Sequence, residues 1–178
     1  MTPLHIPILT TARLTLREPR MTDVDGFAAF LHSDRARFVG GPGRSYADSA
    51  RSFGHMAGLW LLRGYGPHVW CLPDGTPIGH GGPWYPKVWP EPEFGWCLWE
   101  GVHEGQGYVT EAMTALRDWA FADLGLTAAV AYIDPDNHAS QRVAERLGGR
   151  PDPEAAPPDP DPVVIYRFHA PARLVGRP

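Results

Sequence analysis

The stretch from residue 93 to residue 133 constrains the fold of this chain more than any other, because its periodicity changes repeatedly within forty residues. Glu93-Phe-Gly-Trp-Cys-Leu-Trp99 has the aromatic, apolar make-up of a strand. Gly101 to Gly107 interrupts it. From there to about Asp123, the residues Val109, Ala112, Met113, Leu116, Trp119 and Ala120 fall at helical spacing, as one apolar stripe on an amphipathic helix. Thr127 to Ile133 is then β-branched and apolar, the pattern of a buried strand. Such a segment calls for a sheet with a helix packed on it.

The rest of the chain extends that plan in both directions. Arg13-Leu-Thr-Leu-Arg17 alternates polar and apolar residues and reads as a half-buried first strand. Val24, Phe27, Ala28 and Leu31 mark a helix from Asp23 to His32, begun by Thr22 or Asp23. Gly40, Gly41, Pro42 and Gly43 break the next stretch, and a second helix is expected from about Tyr46 to Arg63, burying Phe53, Met56, Ala57, Trp60 and Leu61. His68 to Leu72, the turn Pro73-Asp-Gly-Thr76, and Pro77 to Trp84 read as an antiparallel hairpin. A stiff connection, Pro86 to Pro92, leads into the strand at Glu93. Downstream, Asp136 or Asn137 caps a short helix with Ser140, Val143, Ala144 and Leu147 on one side, ended by Gly148-Gly149. Pro151 to Pro162 holds six prolines in twelve residues and is expected as a surface excursion before a last strand, Val163 to Phe168. The order is that of an α+β fold with a mixed, mostly antiparallel sheet. At 178 residues the chain is expected to form one domain, with a core from about residue 10 to 168.

Composition excludes several classes of function. Sixteen basic against 20 acidic residues give a net charge of −4, too negative for a protein that coats nucleic acid through its phosphates. Residues 1–63 carry 8 Arg and 5 acids, whereas 64–178 carry 8 basic residues and 15 acids. That asymmetry suits a cationic substrate or simply a solvated acidic surface. Cys71 and Cys97, each in an apolar segment, read as free thiols in a reducing compartment. No signal-peptide core or run of membrane-spanning length is present, so a cytoplasmic protein without a membrane partner is expected. His5, His32, His55 and His103 show no ligand spacing, so no metal site is expected.

The chemistry concentrates at Glu104-Gly-Gln-Gly-Tyr-Val-Thr-Glu111, where a glycine-bearing loop opens a helix. Gly105 and Gly107 allow close main-chain approach, and free N–H groups at the helix start favour an anion such as a pyrophosphate. No Gly-Lys-Ser/Thr follows and no third glycine completes a dinucleotide fingerprint, which disfavours a nucleotide-binding enzyme.

Two motifs taken together resemble the GNAT N-acetyltransferase superfamily, in particular the branch that includes ribosomal-protein N-terminal acetyltransferases. They are Phe94-Gly-Trp-Cys-Leu-Trp99 followed by Gly105-Gln-Gly-Tyr-Val-Thr-Glu-Ala112, and Asn137-His-Ala-Ser-Gln-Arg-Val143 followed by Leu147-Gly148. Thr11 to Arg17 looks like that family's first strand. The resemblance implies a splayed sheet with helices on both faces. It implies acetyl-CoA as cosubstrate, and a primary amine of a small molecule or a protein N-terminus as acceptor and partner. Homodimers are common among relatives, which leaves a homodimer open.

By resemblance, Glu104, Gly105, Gln106, Gly107, Tyr108, Val109 and Thr110 bind coenzyme A, with Asn137 and Ser140 on its pantetheine arm. A main-chain N–H around Cys97, Leu98 or Trp99 polarises the thioester carbonyl. Two departures from the family pattern stand out: Glu104 begins the loop, putting a carboxylate near phosphates, and Val109 ends it. Ala144 occupies the place of the usual tyrosine acid, which leaves Ser140 as candidate acid. Glu93 is the first candidate for general base, since an aromatic environment would raise its pKa toward neutrality. Glu91 and His80 are alternatives, as is a base acting through water. Trp84, Tyr85 and Trp89, with His80 and Glu91, are expected to border the acceptor pocket. A non-catalytic coenzyme A-binding module is the competing reading.

Overall fold

The computed structural model describes residues 5–172; the outermost residues of the expected domain, 1–4 and 173–178, lie outside it. In chain order the strands are β1 (Leu9–Thr10), β2 (Thr15–Arg17), β3 (His68–Cys71), β4 (Pro77–Trp84), β5 (Glu93–Leu98), β6 (Ala128–Ile133), β7 (Arg150–Pro151) and β8 (Val164–His169). The helices are α1 (Val24–His32), α2 (Tyr46–Arg63), α3 (Tyr108–Ala122) and α4 (His138–Arg146), with short 3-10 turns at Met21–Asp23, Asp34–Phe38 and Gly101–His103. All eight strands belong to one open sheet in the spatial order β1-β2-β3-β4-β5-β6-β8-β7. Every neighbouring pair is antiparallel except β5 and β6.

Strand β3 shows why helices cover both faces. All four of its residues are buried, so its side chains alternate between two apolar layers. Val69 and Cys71 join Phe27, Leu31, Phe53 and Met56 under α1 and α2. Trp70 points the other way, into a core with Met113, Leu116 and Ala120 of α3 and Ala144 of α4. The Trp70 indole lies across β4, where a Cβ added at Gly81 would come within 2.5 Å of its ring. Only glycine fits there. Leu116 and Met113 are fully buried, and such side chains each contribute about 1.5–3 kcal/mol. A buried, bidentate pair links β2 to the start of α1: Nη1 and Nη2 of Arg17 donate to the two Asp23 oxygens at 2.8 Å.

Three details differ from the expectation. The stripe of α2 runs through Phe53, Met56, Leu59 and Trp60, while Leu61 is 76% exposed and Ala57 only partly buried. Leu61 lies in the helix's last turn, one residue past Trp60, which packs on His68 and Trp119, and its own face turns to solvent. Thr15–Arg17 is preceded by a small β1 strand, paired to it through Leu9–Leu16 and Thr10–Thr15. Finally, the proline tract is more than an excursion. Arg150–Pro151 pairs with β8, the Asp152 N–H donates to the Ile165 carbonyl at 2.8 Å, and Pro158, Asp159, Asp161 and Pro162 border a cavity.

The sheet is split between β5 and β6. Their pairing consists of the Glu93–Val130 register pair, with the Val130 N–H donating to the Pro92 carbonyl at 2.9 Å. Beyond that point the strands diverge, and the polar main-chain edges of both face the gap. Among the described residues no helix is long and apolar enough to cross a membrane.

Candidate active site

A cavity of about 840 Å³ opens at this split. Its floor follows from strand alternation. On the face toward α1 and α2, β4 presents His80, Gly82 and Trp84 opposite Cys97, Gly95 and Glu93 of β5. The central pair is glycine on glycine, and a Cβ added at Gly95 would meet nothing within 4 Å. Two cross-strand pairs, His80 with Cys97 and Trp84 with Glu93, therefore flank a stretch of bare main chain. The cavity continues through the split to Tyr132, Asn137 and Ser140.

Glu93 sits where the parallel pairing ends. Burial raises its carboxyl to about 7, although the Trp89 indole N–H donates to it at 2.7 Å and the Tyr132 main-chain N–H also favours the charged form. Tyr132 N–H is available because the split removes its sheet partner. A carboxyl titrating near neutrality can exchange a proton with a bound group at physiological pH. His80 differs from expectation. Its Nδ1 accepts from the Trp99 indole at 2.9 Å, which places any single proton on Nε2, and burial lowers its pKa to about 4. His80 is thus neutral at pH 7, held between Phe27 and Trp99. Cys97, also on the cavity wall, is a free thiol pushed up to about 12 by burial, with Glu93 nearby adding to the effect.

The antiparallel ladder decides which main-chain donors remain. The Trp99 N–H donates to the Ile78 carbonyl at 2.9 Å. Alternation then directs the Cys97 N–H to β4 as well, and turns those of Trp96 and Leu98 toward the split. Trp99 itself is buried beneath α1, so of the three expected donors Leu98 alone faces the gap.

The glycine loop is built as its sequence suggests. Gly105 and Gly107 have φ of 71° and 81°, and Gly107 caps α3 without any side-chain hydrogen bond, so the first N–H groups of the helix, at Tyr108, Val109 and Thr110, point outward. Glu104 is neutralised: its carboxylate accepts from Arg35 at 2.8 Å, and the same guanidinium donates to the carbonyls of Leu98 and Trp99. Gln106 folds onto the loop, donating to the Val102 carbonyl at 2.7 Å, while its own carbonyl accepts from Arg13 at 3.0 Å. Val109 packs against the α3 core, away from the loop mouth.

On α4, the Asn137 side chain accepts from the Ser140 N–H at 3.2 Å and so is the helix cap, and the Ser140 hydroxyl accepts from the Trp96 indole at 3.3 Å across the split. His80, Trp84, Glu93, Cys97, Asn137 and Ser140 line one cavity. Tyr85 and Glu91 do not line it. The Tyr85 ring lies under the Arg63 guanidinium at 4.1 Å, and Glu91 accepts two hydrogen bonds from Arg167, at 2.6 and 2.9 Å. The loop residues 104–110 lie outside the cavity wall, at the neighbouring helix end.

Sequence reasoning passes over Tyr132, which is not at the position of the family's tyrosine acid, although its buried hydroxyl has no partner among the described residues and is pushed up to about 12, chiefly by burial. It also missed Arg35, and Glu111, which accepts from Thr11 at 2.6 Å and from Arg13 at 2.7 and 2.8 Å, binding the loop helix to the first hairpin.

Comparison with known proteins agrees with this architecture. The family profile described as an acetyltransferase (GNAT) domain matches residues 13–150. The crystal structure of an acetyltransferase from Agrobacterium tumefaciens str. C58 is 43% identical, covering 93% of this chain and 95% of that one with a TM-score of 0.87. RimL, a ribosomal L7/L12 alpha-N-protein acetyltransferase solved in complex with coenzyme A, shares the fold at 18% identity, covering 92% and 98% of the two chains with a TM-score of 0.72. The uncharacterized protein YkkB of Bacillus subtilis (strain 168) is 35% identical over 91 residues, 48% of this chain and 52% of that protein, so the match spans about half the length of this curated relative. The split sheet, the glycine loop and a profile match over most of its length place this chain in the GNAT acetyltransferase family.

Proposed function

We propose that residues 1–178 act as one catalytic domain, with its core from about 10 to 168, that transfers an acetyl group from acetyl-CoA to a primary amine, of a small molecule or of a protein N-terminus. The observation that carries the reading is Glu93, a carboxyl raised to about 7 on the floor of a cavity that opens at the sheet's split, beside an uncapped helix N-terminus. The residues fit coenzyme A. The free N–H groups of Tyr108, Val109 and Thr110 suit its pyrophosphate, and the Arg35 pairing removes the repulsion that Glu104 would exert. The Trp96 N–H, with Asn137 and Ser140, suits the amide-bearing arm.

Acetyl-CoA supplies the thioester; the new C–N bond forms as the C–S bond breaks. Glu93 takes the proton that the amine loses on attack, directly or through a water. The Leu98 N–H stabilises the negative charge that develops on the carbonyl oxygen. Of the hydroxyl residues lining the cavity, Ser52 is tied to Arg44, which leaves Ser140 and Tyr132 at the split to protonate the departing sulfur, and Tyr132 stays protonated at neutral pH. His80, neutral and turned to Trp99, serves as a wall.

Thiol release with acetyl-CoA and a panel of amines tests the reading. Acetyl-CoA alone should stabilise the fold by about 2.7 kcal/mol at a hundredfold excess over its dissociation constant. Stabilisation without thiol release for any amine would leave a non-catalytic binding module; neither effect at millimolar ligand would remove the coenzyme A reading.

A further inference from the structure

The charged side chains around the cavity are segregated. Asp134, Asp159 and Asp161 border it on the side of α4 and the proline tract, whereas its two arginines, Arg37 and Arg44, lie on the wall formed by the segment between α1 and α2. Neither arginine has a carboxylate partner among the described residues; those pairs go to Arg13, Arg17, Arg20, Arg35, Arg51, Arg117 and Arg167. Arg44 is nonetheless held in place, by neutral acceptors only: Nε donates to the Gly40 carbonyl at 2.9 Å and Nη1 to the Ser52 hydroxyl at 2.7 Å. Gly40 permits this fold-back, since a Cβ there would lie 2.6 Å from Nη2. Arg37 lies over the Phe38 ring at 4.6 Å. A guanidinium stays charged at any working pH, and its planar fork matches carboxylate and phosphate. Two positive charges with no carboxylate in direct contact among the described residues thus line a cavity whose floor carries Glu93, the nearest acid to Arg44 being Asp48, which is paired with Arg51.

We infer that the acceptor carries an anionic group, a carboxylate or a phosphate, in addition to its amine, and that Arg37 and Arg44 bind that group while the amine lies at Glu93. This deepens the acetyl-transfer reading and rests on it. The aspartates on the side of α4 and the proline tract favour that orientation, because they repel an anion. Phe27, Phe30 and Trp84 provide apolar walls for the body between the two groups. Although residues 64–178 are acidic overall, a polycationic acceptor would set positive charge against the arginine wall.

The test needs no turnover. N-acetylphenylalanine and its amide, and an N-acetylated aminoalkyl phosphate and its alcohol, are titrated into the protein with tryptophan fluorescence as readout, since Trp84 and Trp89 line the cavity. The anionic member of at least one pair should bind about 10- to 100-fold more tightly than its neutral partner, and which pair does so separates carboxylate from phosphate. The preference should fall toward unity in Arg37→Gln/Arg44→Gln, with affinity for the neutral member unchanged. Arg37→Gln alone, at an exposed side chain, should lose part of it. Equal affinities, binding of neither pair, or a preference that survives both substitutions overturns the inference. Charge preference without thiol release for any amine overturns acetyl transfer alone; acetylation of neutral amines without charge preference overturns this inference alone.

Discussion

Replacing Glu93 by Gln keeps the size of the side chain and an acceptor for the Trp89 indole, and removes only the charge. The carboxyl is raised from 4.5 to about 7 in the folded chain. Below about pH 4.5 it is neutral in both the folded and the unfolded chain, so the protein and the variant differ little there. As pH rises from 4.5 to 7 the unfolded chain releases the proton while the folded chain retains it, and the protein loses stability across that window. The loss amounts to up to about 3 kcal/mol. This is an upper figure, because the cavity admits water to the carboxylate. Gln has nothing to ionise. In urea titrations Glu93→Gln should therefore gain stability relative to the parent between pH 4.5 and 8, by as much as that figure. Activity should move in the opposite direction: kcat/KM of the parent climbs through a midpoint near pH 7, and the variant loses that limb together with about 10²–10⁴-fold in rate. A variant that keeps the limb, or a stability difference constant from pH 4.5 to 8, would refute the assignment of a buried, titrating base.

Trp89→Phe removes a hydrogen bond that favours the charged form of Glu93, so the midpoint of the same limb should rise by about one pH unit; a pH–rate profile measures it. Gly107→Ala forces an L side chain to φ of 81° at the α3 cap, which should cost about 1–2 kcal/mol in urea unfolding and weaken acetyl-CoA in a fluorescence titration. Leu116→Ala empties a fully buried position between α3 and the sheet, and chemical denaturation should register a loss of about 2–5 kcal/mol with the acetyl-CoA affinity of the surviving folded fraction retained.

What the sequence made legible was whatever is encoded over a few neighbouring residues. Gly105 and Gly107 announce the loop because only positive φ needs glycine in both places, and Asn137 announces a cap because its acceptor reaches the N–H three residues on. The phase of α2 was half legible: Phe53, Met56 and Trp60 fit two adjacent stripes, and the sheet beneath selected the one through Leu59 over the one through Leu61. The electrostatics of the site were not legible, because they join distant residues. Glu104 meets Arg35 from 69 positions away, and Glu91 meets Arg167 from 76. The roles of Tyr132 and Leu98 depend on where two strands part, and no local pattern marks that point. The proline tract reads as a detour because its composition resists regular structure, yet its first residues pair with β8 and its last ones border the cavity.

The single pairing of β5 with β6 also divides the eight strands into two panels, β1 to β5 and β6 to β8, joined at Glu93 and steadied by α3 and α4. Parting the panels breaks few main-chain hydrogen bonds compared with unfolding either one. Amide hydrogens along the seam should thus exchange through a local opening that costs less than global unfolding. A molecule lodged across the seam would touch both panels, so filling the cavity should slow that exchange.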